Sequence, residues 1–226
     1  MDLFDFTKTK FRLSRPLWTY SKVQSIFGRY LRGKRLFYRP FPSVPFMIDI
    51  GPGAYAKGGF YNIDMTWMPG IDLCVDITNG IGLPHNQVCG AYTEHCLEHL
   101  DVRACISVLQ EVHDALSVSS WIRIIVPDLE LYCRRYIESI ELEENVMPNK
   151  EIIEGAILET PAFCLNTIMR DYGHRFIYDF STLADLLGVI GYRNVQKCSF
   201  GQGNDIRLLK DRESRRHESL YVEAQK

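Results

Sequence analysis

Residues 48–64 read IDIGPGAYAKGGFYNID, and this stretch decides the fold. An apolar run, Pro45–Ile48, leads into Asp49-Ile50 and then Gly51-Pro52-Gly53, and a second short apolar run ends on Asp64. A buried strand that delivers a glycine turn, followed by a strand tipped with an acid, is the arrangement of an open α/β nucleotide site. The acid fits a ribose because a carboxylate accepts two hydroxyl hydrogen bonds and repels a ribose phosphate. An ordinary tight turn with a surface Asp would read the same way, so the rest of the chain has to carry the argument.

Outward from that stretch the chain alternates strand-like and helix-like runs. Strands are expected at 45–50, 60–65, 71–77, 87–93 and 120–126. Trp121–Val126 (WIRIIV) is continuous and rich in β-branched residues, as a strand covered on both faces should be. Leu97, Leu100, Ile106, Leu109, Val112 and Leu116 recur at helical spacing, predicting one helix of about five turns. A second helix follows Pro127, with Asp128 as its N-cap and Leu131, Tyr132, Tyr136 and Ile140 along one face. Residues 145–175, with Pro148 and Pro161, read as a helical insertion over the site. A helix at 181–190 and strands at 195–200 and 220–224 close the chain. The expected fold is α/β: a Rossmann-like, mostly parallel seven-stranded sheet with an antiparallel closing strand and helices on both faces.

Composition narrows the class. The 226 residues, 46% hydrophobic and 12% aromatic, suit one domain with decorations. No apolar run approaches the length of a membrane span, and the N-terminus has no secretory h-region. The seven cysteines include no C-x-x-C pair, so they read as small buried hydrophobes of a reducing cytoplasm, with no disulfide framework or zinc site. The net charge of −2 is unevenly spread: residues 1–45 hold ten Lys/Arg against two Asp/Glu, +8, which leaves −10 for the rest.

Taken in order, these pieces resemble the class I S-adenosylmethionine-dependent methyltransferases, and within them small bacterial "type 11"-like members often linked to surface-polysaccharide genes. IDIGPG at 48–53 looks like the glycine loop after the first strand, and NID at 62–64 like the acid-ended second strand. CVDITNGIGLP at 74–84 looks like the third-strand acid and its turn. YTEHCLEHL at 92–100 is similar to the H-x-L-E-H segment after the fourth strand, and IRIIVPDLE at 122–130 to the fifth strand and its exit. GHRFIYDFSTLADLLGVIGY at 173–192 and ESLYVEAQK at 218–226 resemble the closing helix and strand. The likeness spans about residues 46–135 and 170–226. The chain departs from the family pattern in three places: Tyr55 stands at the third glycine, the link from Ile50 to Asp64 is short, and Ser117–Ser120 replaces a K-P-G-G turn.

The resemblance implies S-adenosylmethionine as cofactor, a methyl acceptor that is a small molecule or glycan, and no metal. It implies that Gly51 and Gly53 approach the methionine moiety, that Asp49 supports their loop, and that Asp64, with Met65 beside it, binds the ribose. Asp76 and Ile77 would flank the adenine, and Glu94 at the end of the fourth strand would complete the cofactor set. His95, Asp128 and His174 are the candidates for a catalytic base, each with a plainer reading as turn histidine, helix cap or loop hydrogen bonder. Two rival readings stay open. His95-x-x-Glu98-His99 spells an inverted zinc-hydrolase motif, whose two histidines would sit one turn apart on a helix. A catalytically inactive scaffold of the same fold is favoured by Tyr55 and the missing K-P-G-G.

The chain thus divides into a basic arm, 1–44, and a methyltransferase-like domain, 45–226, with the insertion at 145–175. In the arm, Val23, Ile26, Phe27, Tyr30 and Leu31 form a helical stripe, with Lys22, Arg29, Arg32, Lys34 and Arg35 off it. Residues 21–39 would pack on the domain, lie on an anionic membrane surface, or bind nucleic acid, the last being the weakest of the three. The expected location is the cytoplasm, with a peripheral place at the inner membrane face if the arm engages lipid.

Overall fold

The computed structural model describes residues 40–43, 45–153 and 158–226. The amphipathic helix expected at 21–39 lies outside the described residues, as does a short part of the insertion.

Seven strands form one sheet in the order β3-β2-β1-β4-β5-β7-β6. They are β1 (Phe46–Ile50), β2 (Phe60–Asp64), β3 (Leu73–Cys74), β4 (Val88–Glu94), β5 (Trp121–Pro127), β6 (Arg193–Cys198) and β7 (Ser219–Gln225). The first five run parallel, and β7 is antiparallel to both β5 and β6. This is the expected sheet with its antiparallel closing strand. Chain order reverses between β1 and β4, so their carboxyl ends open a crevice of the kind in which open α/β sheets bind ligands.

One face carries Ile48, Ile50, Ile63, Ile122, Ile124 and Val222. It is covered by α1 (Val102–Ala115), through Val108, Leu109 and Val112, and by α5 (Phe180–Ile190), through Leu183 and Leu187. The other face is smaller and partly polar. Leu208, from a 3-10 turn at Ile206–Leu208, packs on Phe60, Tyr92, Ile125 and Tyr221. Beside them Arg123 is fully buried, paired with Glu223 at 2.9 Å and with both oxygens of Asp211, and it donates to the carbonyls of Gln202 and Ser199. A buried guanidinium needs such partners, and here they fasten the 199–211 segment across the sheet.

Beyond β5 lie α2 (Leu129–Glu141), α3 (Lys150–Ile153) and α4 (Pro161–Arg170), joined by a small core of Tyr132, Met147, Cys164 and Ile168. Asp128 caps α2 by accepting from Leu131 N, as expected. Of the predicted apolar face of α2, Tyr132 is buried and Tyr136 packs half-buried on that core, while Ile140 is exposed and Ser139 is buried in its stead.

The single long helix expected from Leu97 is broken. Leu97–His99 is a 3-10 turn, Leu100 is extended, and α1 starts afresh at Val102 with Asp101 accepting from Ala104 N. Apolar spacing continues through the break, because both pieces bury their apolar side chains in one core. The cap, not the periodicity, marks the start. Strand β3 is likewise only two residues long, and Asp76 lies in the turn beyond it. Cys74 and Cys105 are buried, Cys89 and Cys198 half-buried, and all seven cysteines are free.

Candidate active site

Ile50, Asp64, Cys74 and Glu94 end their strands at the same edge of the sheet, and the turns that follow enclose a cavity of about 650 Å³. Its floor is the turn after β1. Gly51 has φ +73, and a Cβ there would lie 2.6 Å from the Cβ of Cys96 and closer still to its sulfur. The turns after β1 and β4 therefore touch, which only glycine permits. Gly51 N–H donates to Ile63 O at 2.8 Å, tying the turn to β2.

Asp64 lies on the cavity wall with Met65 and Thr66. One carboxylate oxygen accepts from Gly53 N (2.8 Å) and the other from Thr66 N (2.7 Å). These bonds hold the carboxylate in place at the cavity wall. Burial raises its pKa, against the backbone N–H groups of Thr66, Gly53 and Met65. Opposite, Asp76, Ile77 and Thr78 line the cavity, and Asp76 accepts from Thr78 N and Thr78 Oγ1.

Other expected cofactor residues stand behind this wall. Asp49 is 1% exposed and pairs with Lys57 Nζ at 2.9 Å; that ammonium also lies 4.3 Å above the Tyr92 ring. Burial pushes the Asp49 carboxyl up to about 6, with Lys57 opposing. Asp49 thus acts on the loop through Lys57 and does not line the cavity. Gly53 does not line it either; its N–H serves Asp64. Glu94 faces the other way and binds Arg212 through its N–H (3.0 Å) and Nε (2.7 Å). Arg212 in turn covers the Tyr55 ring at 4.5 Å, so this side chain is directed outside and is not part of the cavity lining.

Of the base candidates, His95 lines the cavity, His174 does not and lies half-buried 4.0 Å from Glu98, and Asp128 is elsewhere, capping α2 and 3.5 Å from Lys197. His95 adopts a left-handed φ of 53° immediately after β4. The 3-10 turn that follows carries His99, so His95 and His99 do not share a helical face as the zinc-hydrolase reading requires. Sequence reasoning did not place Cys96, Thr78, Gly173 or Arg175 on the wall. Their only local signal is proximity to residues already singled out. The pairing that brings 173–176 in, Arg175 N and Phe176 N donating to Glu98 O, spans too many residues to be read locally.

No protein-family model matches the chain, and no curated protein matches it in sequence. Distant likenesses to solved structures are found. A SAM-dependent methyltransferase from Archaeoglobus fulgidus is 17% identical over all of both chains, with a TM-score of 0.49. A possible histamine N-methyltransferase from Thermotoga maritima is 13% identical, over 90% of this chain and 92% of the other, at 0.48. A 1,6-didemethyltoxoflavin-N1-methyltransferase from Burkholderia thailandensis, solved with S-adenosylhomocysteine, is 13% identical over 99% and 86%, at 0.45. The fold itself rests on the strand order and pairing described above.

Proposed function

We propose that this chain is a methyltransferase that uses S-adenosylmethionine and acts on a hydroxyl-bearing small molecule, a sugar or glycan among the candidates. One observation carries the reading. The glycine turn at Gly51, the acid at the end of β2 and the acid-led turn after β3 all line one cavity at the switch point of the sheet. The cofactor would bring an electrophilic methyl group on a sulfonium. The residues present fit it: Gly51 lines the cavity with bare backbone, Asp64 presents a carboxylate at the end of β2 to ribose hydroxyls, and Asp76 with Ile77 offers an acceptor and an apolar surface to an adenine.

The protein's own part is positioning and shielding. Asp49 and Lys57 brace the loop from behind. Of the three base candidates His95 is the one that lines the cavity, which makes it the first to test for taking a proton from an acceptor hydroxyl. The scaffold reading rested on Tyr55 and the missing K-P-G-G turn; the Tyr55 ring lies against Arg212 and is not among the residues that line the cavity. No helix of the described residues is long and apolar enough to cross a membrane. A cytoplasmic setting, with the basic arm at residues 21–39 against an anionic surface, belongs to the same proposal; vesicle sedimentation with and without residues 1–39 tests that part.

Calorimetry with S-adenosylhomocysteine tests the core of it. Micromolar binding to the wild type, weakened at least tenfold in Asp64→Ala, is the expected result. No binding by folded wild-type protein would overturn the reading.

A further inference from the structure

Glu98 is fully buried, and neither of its carboxylate oxygens receives a hydrogen bond from any described residue. An isolated buried carboxylate is costly, and native structures rarely leave one so. Three imidazoles stand around it, and the Arg215 guanidinium, held by Glu218, is near enough to act on it electrostatically. His95 Nδ1 lies 3.3 Å from Glu98 Oε1 without hydrogen-bond geometry, and His174 Nε2 lies 4.0 Å from the same oxygen. The His99 ring stands 4.9 Å from that of His174. One ligand atom each from Glu98, His99 and His174 fall within 4.8 Å of one another.

The outer hydrogen bonds set which ring nitrogens face inward. His174 Nδ1 is 2.6 Å from the carbonyl of Ile168, so Nδ1 carries the proton and the Nε2 lone pair of the neutral ring is the one directed at Glu98. Ser219 Oγ donates its single proton to Arg215 O at 2.8 Å and so accepts from His95 Nε2, also at 2.8 Å. In that neutral tautomer the Nδ1 lone pair of His95 faces Glu98. Two lone pairs thus converge on an anionic oxygen, an arrangement that repels until something positive sits among them. Histidines oriented by an outer carbonyl or hydroxyl are the usual support of a metal centre.

We propose that Glu98, His99 and His174 bind one divalent transition-metal ion, with His95 as an adjacent fourth group. Two imidazoles and one carboxylate suit zinc, iron, cobalt or manganese better than magnesium or calcium. Bonds of about 2.0–2.2 Å bring ligand atoms about 3–3.5 Å apart, so the three groups close by roughly an ångström on binding. The segments that carry them are braced for this: Glu98 O accepts from both Arg175 N and Phe176 N (2.7 and 3.2 Å), and left-handed backbone at His95, Tyr172 and Gly173 turns the rings inward. The ligand set differs from the zinc-hydrolase motif, because His174 comes from the far side of the insertion.

His95 and His99 also line the large cavity, so the ion's open positions face the space where a methyl acceptor would lie. That role, polarising an acceptor hydroxyl, rests on the methyltransferase reading, whereas metal binding does not.

Cobalt titration of the chelator-treated full chain, followed by visible absorption and calorimetry, tests the site. Wild type should take up one equivalent of Co²⁺ with visible d–d bands, and Glu98→Gln and His174→Ala should each weaken binding at least tenfold. His113→Ala, a histidine on α1 away from the cluster, should bind like wild type. Circular dichroism melts check that each variant is folded. Folded wild type that takes up no stoichiometric cobalt, or His174→Ala that binds as well as wild type, overturns the proposal. If the variants do not fold, the wild-type titration alone decides. S-adenosylhomocysteine binding on the same samples separates the readings: cobalt uptake without it sinks the cofactor assignment and leaves the metal site standing, and the reverse result does the opposite.

Discussion

Gly51 and Cys96 occupy neighbouring turns so close that a Cβ on the glycine would sit 2.6 Å from the Cβ of the cysteine. The contact joins the first and fourth strands at their carboxyl ends and forms the floor of the cavity. Two penalties meet a side chain here, the clash and the left-handed φ of +73°. Gly51→Ala should therefore destabilise the fold by about 2–4 kcal/mol, combining overpacking with backbone strain. Cys96→Gly has its own cost, because Cys96 packs against the core, but in its background Gly51→Ala should cost only about 1 kcal/mol, the backbone strain. Urea unfolding of both single variants and the double variant checks this. A Gly51→Ala cost that is the same with and without Cys96 would show that the two turns do not touch.

Tyr55 is the residue in this loop that departs most from the family pattern, and its ring is under Arg212, not in the cavity. Tyr55→Ala should change S-adenosylhomocysteine affinity by less than about threefold and cost roughly 0.5–1 kcal/mol of stability, the worth of an exposed cation–π contact. A large gain in affinity on removing the ring would mean that it obstructs the pocket after all.

Arg123 provides a test of the opposite face. It is wholly buried and its charge is answered by Asp211 and Glu223, which lie on a loop and on β7. Arg123→Met leaves two buried carboxylates without their cation and should cost about 3–5 kcal/mol. Arg134→Ala, which removes an exposed pair with Glu130, should cost less than about 1 kcal/mol. Chemical denaturation measures both, and similar losses would contradict the burial of the Arg123 network.

Local signals carried much of this fold. Trp121–Pro127 is apolar and β-branched from end to end, Asp128 caps the helix that follows, and the strands around Ile50 and Asp64 end where the glycine turn and the acid place them. Part of the cavity lining was legible in the same way, because Gly51, Asp64, Asp76 and Ile77 each close a strand or open a turn and strands deliver their ends to one edge. What stayed hidden is long-range. Nothing local says that Glu94 is taken by Arg212, that Lys57 folds back onto Asp49, or that Glu98 meets His174 across the insertion. The break at Leu100 was masked by apolar spacing that suits one helix as well as two. Asp128 was readable as a cap and as a catalytic candidate from the same residue, and the fold places it in the first role, away from the cavity.

Asp49 should leave a pH signature on stability. Its carboxyl is raised from 3.8 to about 6 by burial, against the pull of Lys57. A carboxyl that holds its proton more tightly when folded stabilises the protein fully below the unfolded value, and that contribution is lost as pH rises through the folded value. The window is therefore about pH 4 to 6, and the full swing corresponds to at most about 3 kcal/mol. Asp49→Asn cannot titrate, so its stability relative to wild type should improve across that window, whatever constant cost the lost ion pair imposes. Lys57→Met removes the opposing charge and should move the wild-type window to higher pH. Urea denaturation of the three proteins at pH 4, 5, 6 and 7 reads the difference directly. A wild-type minus Asp49→Asn difference that is flat across those four values would show that Asp49 ionises normally, with Lys57 outweighing its burial.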